Sequence, residues 1–241
     1  MTSHVESVRE CRNALLALLP DEDYRSLAAH LQLVPTPFGT VLFERDKPIE
    51  YVYFPCSGAH SVLAVMEDGS MVEVGTVGNE GLSTVDAIIG SEVATETIVC
   101  QIPGESLRLP IGRFREVIAG DTPLRRIAQR YLQAYLSQVS QSVACNRLHT
   151  IEERFARWVL MSHDRVPGDE FQLTQEYLAG MLGVHRPSVS LVARTFQQAG
   201  IIKYARGTIA VLDRPALEEA CCECYFVVRR QFERVLGKST G

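Results

Sequence analysis

The chain has 241 residues, 46% of them apolar and 22% charged, with a net charge of −5. That is room for two modest domains and a connector around a buried core. No run of about 18 uncharged apolar residues is present, so a membrane span is not expected. The amino terminus carries Glu6 and no apolar segment, so a secretory signal is not expected either. Seven cysteines, an odd number and mostly far apart, read as reduced thiols in a cytoplasmic protein. Charge is uneven: residues 1–120 hold 8 basic against 17 acidic side chains, net −9, and residues 121–241 hold 16 against 12, net +4. An acidic front and a basic back suit a chain in which one part meets phosphate.

Two early helices are expected, Val8–Leu19 with Ala14, Leu15, Leu18 and Leu19 on one face, and Tyr24 to about Leu33 behind Pro20-Asp21-Glu22-Asp23. From Pro35 to Pro110 short β-prone runs alternate with turn residues: Thr40–Glu44, Tyr51–Pro55, His60–Met66, Met71–Thr76, Thr97–Ile102 and Ser106–Leu109. Glu67-Asp68-Gly69-Ser70 is a hairpin signal. Many short strands with regular turns predict a sandwich, barrel or jelly-roll-like β-roll.

Ile111–Ala119 is a predicted helix. Thr122 and Pro123 then cap and open a long one, running to about Asn146. Leu124, Ile127, Ala128, Tyr131, Leu132, Tyr135, Leu136, Val139 and Val143 form its apolar stripe. A twin helix in a dimer is the economical partner for that stripe, and its own β-domain is the alternative. Helices are expected at Ile151–His163, Gln175–Leu182 and Pro187–Ala199, then strands Ile201–Tyr204 and Thr208–Leu212 around Ala205-Arg206-Gly207, and a last helix at Pro215–Leu236. Three helices followed by a small hairpin is the order of a winged helix-turn-helix.

Within Leu173–Ala199, Thr174 is the N-cap, and Tyr177, Leu178, Met181 and Leu182 point inward. Gly183 supplies the positive-φ turn and Val184 fills the angle. The second helix has Val189, Val192, Ala193 and Phe196 inside. Arg186, Pro187, Ser188, Ser190, Leu191 and Arg194 remain on its outer face, concentrated at the end that a recognition helix presents to base edges. Arg186 suits guanine, Ser188 and Ser190 suit base or phosphate, and Leu191 suits a thymine methyl. Lys203 and Arg206 lie where a wing meets the backbone of DNA, and Arg147, Arg154 and Arg157 add charge on preceding helices. An ordinary helical hairpin without a nucleic-acid role has the same spacing.

The stretch Leu173-Thr174-Gln175-Glu176-Tyr177-Leu178-Ala179-Gly180-Met181-Leu182-Gly183-Val184-His185-Arg186-Pro187-Ser188-Val189-Ser190, with the wing Arg206-Gly207-Thr208-Ile209, resembles the Crp/Fnr family, the bacterial regulators typified by the cyclic-AMP receptor protein. The order of elements extends the resemblance over nearly the whole chain. It implies an α+β protein: an amino-terminal β-roll akin to a cyclic-nucleotide-binding jelly roll (1–120), a dimerisation helix (121–146) and a carboxy-terminal winged helix-turn-helix with a final helix (147–241). It implies a homodimeric transcription regulator that reads two half-sites of double-stranded DNA, not an enzyme, with RNA polymerase a further candidate partner. Leu124, Ile127, Tyr131, Tyr135 and Val139 are the expected dimer contacts.

Two departures bear on specificity. The family's best-known members carry Glu at the position of Pro187 and Arg at that of Leu191, both base readers. Arg186 matches the receptor-type Arg, and Ser190 a Ser of fumarate-nitrate-type members, so neither group's usual half-site is expected. In the sensor, Gly78-Asn79-Glu80-Gly81-Leu82 resembles the Gly-Glu motif whose carboxylate holds a ribose. The later stretch Ala94-Thr95-Glu96-Thr97 has no guanidinium, and Glu96 would repel a phosphate. Gly78, Glu80, Gly81, Leu82, Glu96 and Thr97 are therefore candidate effector contacts for a ligand other than cyclic AMP. A ligand-binding module that acts by protein contact, or a redox-modulated regulator, is the alternative function. Cys221, Cys222 and Cys224 lack a paired C-x-x-C and an evident fourth ligand, so neither a metal nor another cofactor is expected. The six histidines form no pair at i, i+4, and no catalytic constellation is evident.

Overall fold

The computed structural model describes residues 12–237. The amino-terminal strands are Gln32–Thr36 (β1), Val41–Phe43 (β2), Tyr51–Pro55 (β3), Ala59–Val65 (β4), Met71–Val77 (β5), Thr97–Ile102 (β6) and Gly104–Pro110 (β7). They form two antiparallel sheets, ordered β1-β7-β3 and β2-β6-β4-β5, which enclose Val52, Phe54, Val62, Ile98, Leu107 and Leu109. Strand β4 is buried on both faces over Ala59–Leu63. Val62 belongs to the core inside the roll, whereas Ala59 and Leu63 join Ile102 against the carboxy-terminal helices. The alternation of the strand thus assigns successive side chains to two cores. The hairpin at Glu67–Ser70 forms as expected, with Gly69 at φ +82° and Asp68 accepting the Ser70 amide.

Three expectations for single elements are corrected. The helix expected to reach Leu33 is Asp21–Ala28 (α1), because Gln32–Thr36 pairs with β7 over Gln32↔Arg108 to Thr36↔Gly104. This partner lies far away in sequence, and Pro35 is tolerated because β1 is an edge strand. Of the helix expected at Val8–Leu19, residues 8–11 lie outside the described residues, and Leu16–Leu18 is a single 3₁₀ turn. Buried Asn13 sets this turn: its Oδ1 accepts the amides of Leu15 and Leu16, and its Nδ2 donates to the carbonyls of Pro55 and Gly81. The last helix is broken, as described below.

Helix α2 (Ile111–Ala119) leads to α3 (Pro123–Leu148), whose first turn is capped by Thr122 Oγ1 accepting the Arg125 amide, with Pro123 just inside it. Helix α4 (Ile151–His163) opens with a reciprocal capping box between Thr150 and Glu153 and is buried from Phe155 to Ser162, the pattern of a central helix. Around it lie β8 (Glu170–Gln172), α5 (Gln175–Leu182), α6 (Arg186–Gln198), β9 (Ile202–Ala205) and β10 (Thr208–Val211). Strand β8, which the sequence did not suggest, extends the wing to a sheet ordered β8-β10-β9. The single helix expected at Pro215–Leu236 is two, α7 (Arg214–Glu219) and α8 (Cys224–Leu236), separated by a turn that carries Cys222 into the interior. No helix among the described residues is long and apolar enough to cross a membrane.

Candidate DNA interface and sensor cleft

Local chemistry builds the helix-turn-helix. Thr174 Oγ1 accepts the Tyr177 amide and caps α5. Gly183 ends that helix at φ +61°, a conformation that costs glycine little, and the turn is pinned by the Val184 amide donating to the Ala179 carbonyl. Helix α6 buries Val189, Val192, Ala193 and Phe196, and the Phe196 ring lies 5.2 Å from that of Phe155. Its opposite face bares Arg186, Pro187, Leu191 and Arg194, with Leu191 64% exposed. Ser188 is half-buried. Ser190 Oγ stands 2.5 Å from Gln175 Oε1 and so ties the two helices together. Arg186 is 3.8 Å from the Glu176 carboxylate in an exposed pair, which DNA phosphates would displace at little cost. In the wing, Arg206 and Gly207 both take positive φ, as a two-residue hairpin turn requires, and Lys203 and Arg206 face solvent.

Two arginines expected on a basic face are internal instead. Arg154 donates to the Leu182 carbonyl, and buried Arg157 donates to Ser142 Oγ at 3.0 Å. They fasten α4 to α5 and α3, because their long side chains reach inward between packed helices. Arg147 remains exposed.

The sensor segment follows β5. Glu80 Oε1 receives the Gly78 amide at 3.0 Å and the guanidinium of Arg165 at 2.6 and 3.1 Å. Arg165 lies just beyond α4, so the carboxylate expected to hold an effector is occupied by a group from the carboxy-terminal half. A side chain at Gly78 would collide with Arg165 at 2.6 Å, and one at Gly81 would collide with the Tyr131 hydroxyl at 2.5 Å. Leu82 is core, and its carbonyl accepts the Tyr131 hydroxyl. Tyr135 lies against Gly75 in the same way. Burial raises the Tyr135 pKa, and the carboxylates of Glu96, Asp86 and Glu73 raise it further. Glu96 is half-buried and accepts from Thr95, while Thr97 Oγ1 accepts the Arg45 amide. The cleft between roll and helix is thus filled by two tyrosines and bordered by acids. A groove of about 810 Å³ opens beside the Glu80–Arg165 pair, lined by Asn79, Arg214, Tyr225 and Phe232 among others.

The expected dimer contacts are corrected for the same reason. Leu124, Ile127, Tyr131 and Tyr135 are buried within one protomer, against the roll and α8, with the Tyr131 and Phe232 rings 6.0 Å apart. Val139 is half-buried. The exposed large apolar residues of α3 are Leu136 at 55%, Val143 at 66% and, in its last turn, Leu148 at 75%.

Sequence reasoning missed Arg165 and the partners of the carboxy-terminal cysteines. Cys222 and Cys224 do have further ligand-type neighbours, Cys145 and His149, which α3 delivers. The i, i+4 spacing of Cys145 and His149 is the signal in the sequence that points to them. Cys56 is disulfide-bonded, a correction to the expectation of reduced thiols, since pairing depends on which Cβ atoms the fold brings within reach.

A model of the cyclic nucleotide-binding domain matches residues 34–121, and one of the Crp-like helix-turn-helix domain matches residues 153–220. No curated protein sequence matches the chain. Among solved structures, a putative Crp/Fnr transcriptional regulator from Eubacterium rectale is similar at 19% identity and TM-score 0.67, over 86% of this chain and 96% of that one. FixK2 from Bradyrhizobium japonicum is similar at 15% identity and TM-score 0.65, over 80% and 98%. A CRP-family regulator from Thermus thermophilus is similar at 19% identity and TM-score 0.65, over 78% and 95%. The fold is theirs, the two matched domains cover more than half of the chain in the family's order, and the chain belongs to the Crp/Fnr family of transcription regulators.

Proposed function

We propose that the protein is a cytoplasmic homodimer that reads a palindromic operator through Arg186, Pro187, Ser188, Leu191 and Arg194, with Lys203, Arg206 and the capped Thr174 end of α5 on the phosphates. Ser190 serves by holding α5 and α6 at a fixed angle. The observation that carries this reading is α6 itself: one face is fully buried, and the other presents two arginines, a proline and an unpartnered leucine at the end that enters a major groove. The work divides among residues 1–120 as sensor, 121–146 as dimer helix and 147–241 as DNA reader.

The dimer seam is the outer stripe of α3, Leu132, Leu136, Val139 and Val143, spaced four, three and four apart as in a coiled coil. Cyclic AMP is not the effector in the family's usual manner. Arg165 already holds Glu80, and acids face the region where a phosphate would lie. An effector that uses Glu80 must displace Arg165, and that displacement would carry its signal to the DNA-reading half.

The test is selection of duplexes from a randomised pool by purified full-length protein at near-physiological salt. Enrichment of one palindrome is expected, with binding that falls by about 0.9 log units per phosphate contact per log unit of salt. Arg186→Ala should weaken that site by about 1–3 kcal/mol. If no sequence enriches, with or without cell-extract metabolites, the protein-contact alternative replaces this reading.

A further inference from the structure

We propose that Cys145, His149, Cys222 and Cys224 bind one zinc-type divalent ion that staples the end of α3 to the start of α8. Their four ligand atoms all lie within 4.8 Å of one another. With Zn–S bonds of about 2.3 Å, a tetrahedral ion holds its sulfurs about 3.8 Å apart. Cys145 Sγ and Cys222 Sγ are separated by 3.6 Å, and His149 Nδ1 stands 3.4 Å from Cys224 Sγ. An iron–sulfur cluster places metals and sulfides between its thiolates and needs a wider cradle, so a single ion fits better.

The surroundings are those of a ligand set. Glu223 lies 3.2 Å from His149 Nε2, on the opposite edge of the ring from the sulfurs. A carboxylate there fixes the tautomer that leaves Nδ1 free to ligate. Gln141 Nε2 donates to Cys224 Sγ at 3.1 Å, a bond that favours thiolate. Three thiolates and an imidazole around a divalent ion leave one negative charge, and the charge of Arg157 acts on Cys145 to offset it. The break between α7 and α8 turns Cys222 and Cys224 inward to meet Cys145 and His149. Neighbouring Cys221 is half-exposed, with its thiol on the Cys222 carbonyl, and is not a ligand.

The experiment counts metal in full-length protein purified reduced and without chelator, then replaces it with cobalt. About one ion per chain is expected, and cobalt should give the absorption of tetrahedral thiolate coordination. Cys221→Ser should keep the ion, whereas Cys145→Ser and Cys222→Ser should lose it. Should those variants fail to fold by circular dichroism, Glu223→Gln keeps all four ligands and is expected to weaken zinc affinity by about 10-fold or more in chelator competition. The proposal is overturned if the reduced protein takes up neither zinc nor cobalt at one equivalent, or if Cys222→Ser retains the ion. Iron with acid-labile sulfide, or a Cys145–Cys222 disulfide that excludes metal, overturns it equally.

Discussion

Arg165 and Glu80 are 7% and 14% exposed, and each is the other's charge partner. Burial alone would lower the pKa of Arg165, but the carboxylates of Glu80, Asp164 and Glu73 together outweigh it and the net shift is upward. Removing one member strands a buried charge, so Arg165→Met should cost about 3–5 kcal/mol in urea unfolding, and Arg165→Met with Glu80→Leu should recover most of it. If the single variant is as stable as the wild type, the pair does not clamp the two halves. His60 supplies a second residue-scale test. It is fully buried beside Ser83, with its Nδ1 2.7 Å from the hydroxyl, and burial pushes its pKa down to about 3. In the unfolded chain a histidine takes a proton near about pH 6.5, so as pH falls below that value the unfolded state binds a proton that the native state refuses. Stability is therefore fully present above about pH 6.5 and is lost on acidification towards pH 3, at about 1.4 kcal/mol per pH unit well below 6.5. Between pH 7 and 5 this group accounts for about 2 kcal/mol of lost stability, and His60→Gln should lose that much less over the same interval. The buried carboxyl of Glu73, which desolvation raises, is common to both proteins and leaves the difference unchanged.

At the scale of elements, α3 carries two apolar stripes where the sequence appeared to have one. The inner stripe packs on the roll and α8, and of the outer one Leu136 and Val143 are bare while Leu132 and Val139 are half-buried. Leu136→Lys with Val143→Lys touches only the outer stripe. Sedimentation should show a monomer whose helix content is unchanged, and operator affinity should fall by about 100-fold or more as the two half-sites lose their linkage. A dimer that survives both lysines would move the seam elsewhere. The single-chain pattern could not divide the stripes, since a long helix with leucine, tyrosine and valine on most of its circumference does not say which neighbour comes first. Elements fixed by local chemistry were legible: Thr122-Pro123, Thr174, Gly183 and Arg206-Gly207 all occupy the caps and turns their types prefer. Strands β1 and β8 were not, because each is short and exists through pairing with a partner remote in sequence. The recognition helix was legible because a buried face and an exposed basic face differ in residue type. The Arg165 contact was not, for nothing near Glu80 in sequence announces its partner.

For the whole molecule, β4 joins the two halves. Ala59, Leu63 and Ile102 belong to the same apolar cluster as Phe155, Leu178 and Phe196, and Phe38 meets Tyr177 with ring centroids 5.5 Å apart. Halves that share a core should unfold together, so calorimetry of the full chain should give one transition with calorimetric and van't Hoff enthalpies in agreement. Two resolved transitions would show that the sheet is only a resting place for the helices. The tyrosine lodged over Gly81 carries one more consequence. Its ring fills the space beside the segment whose residues resemble effector contacts, and its hydroxyl reaches the Leu82 carbonyl. Tyr131→Ala would excavate an aromatic-sized hole with a hydrogen-bond acceptor at its end, at a cost of about 3–5 kcal/mol. Phenol, the excised ring as a free compound, should refill that hole and raise the variant's melting temperature while leaving the wild type unmoved. A regulator whose sensor is plugged by its own side chain would then have become one that answers to a phenol.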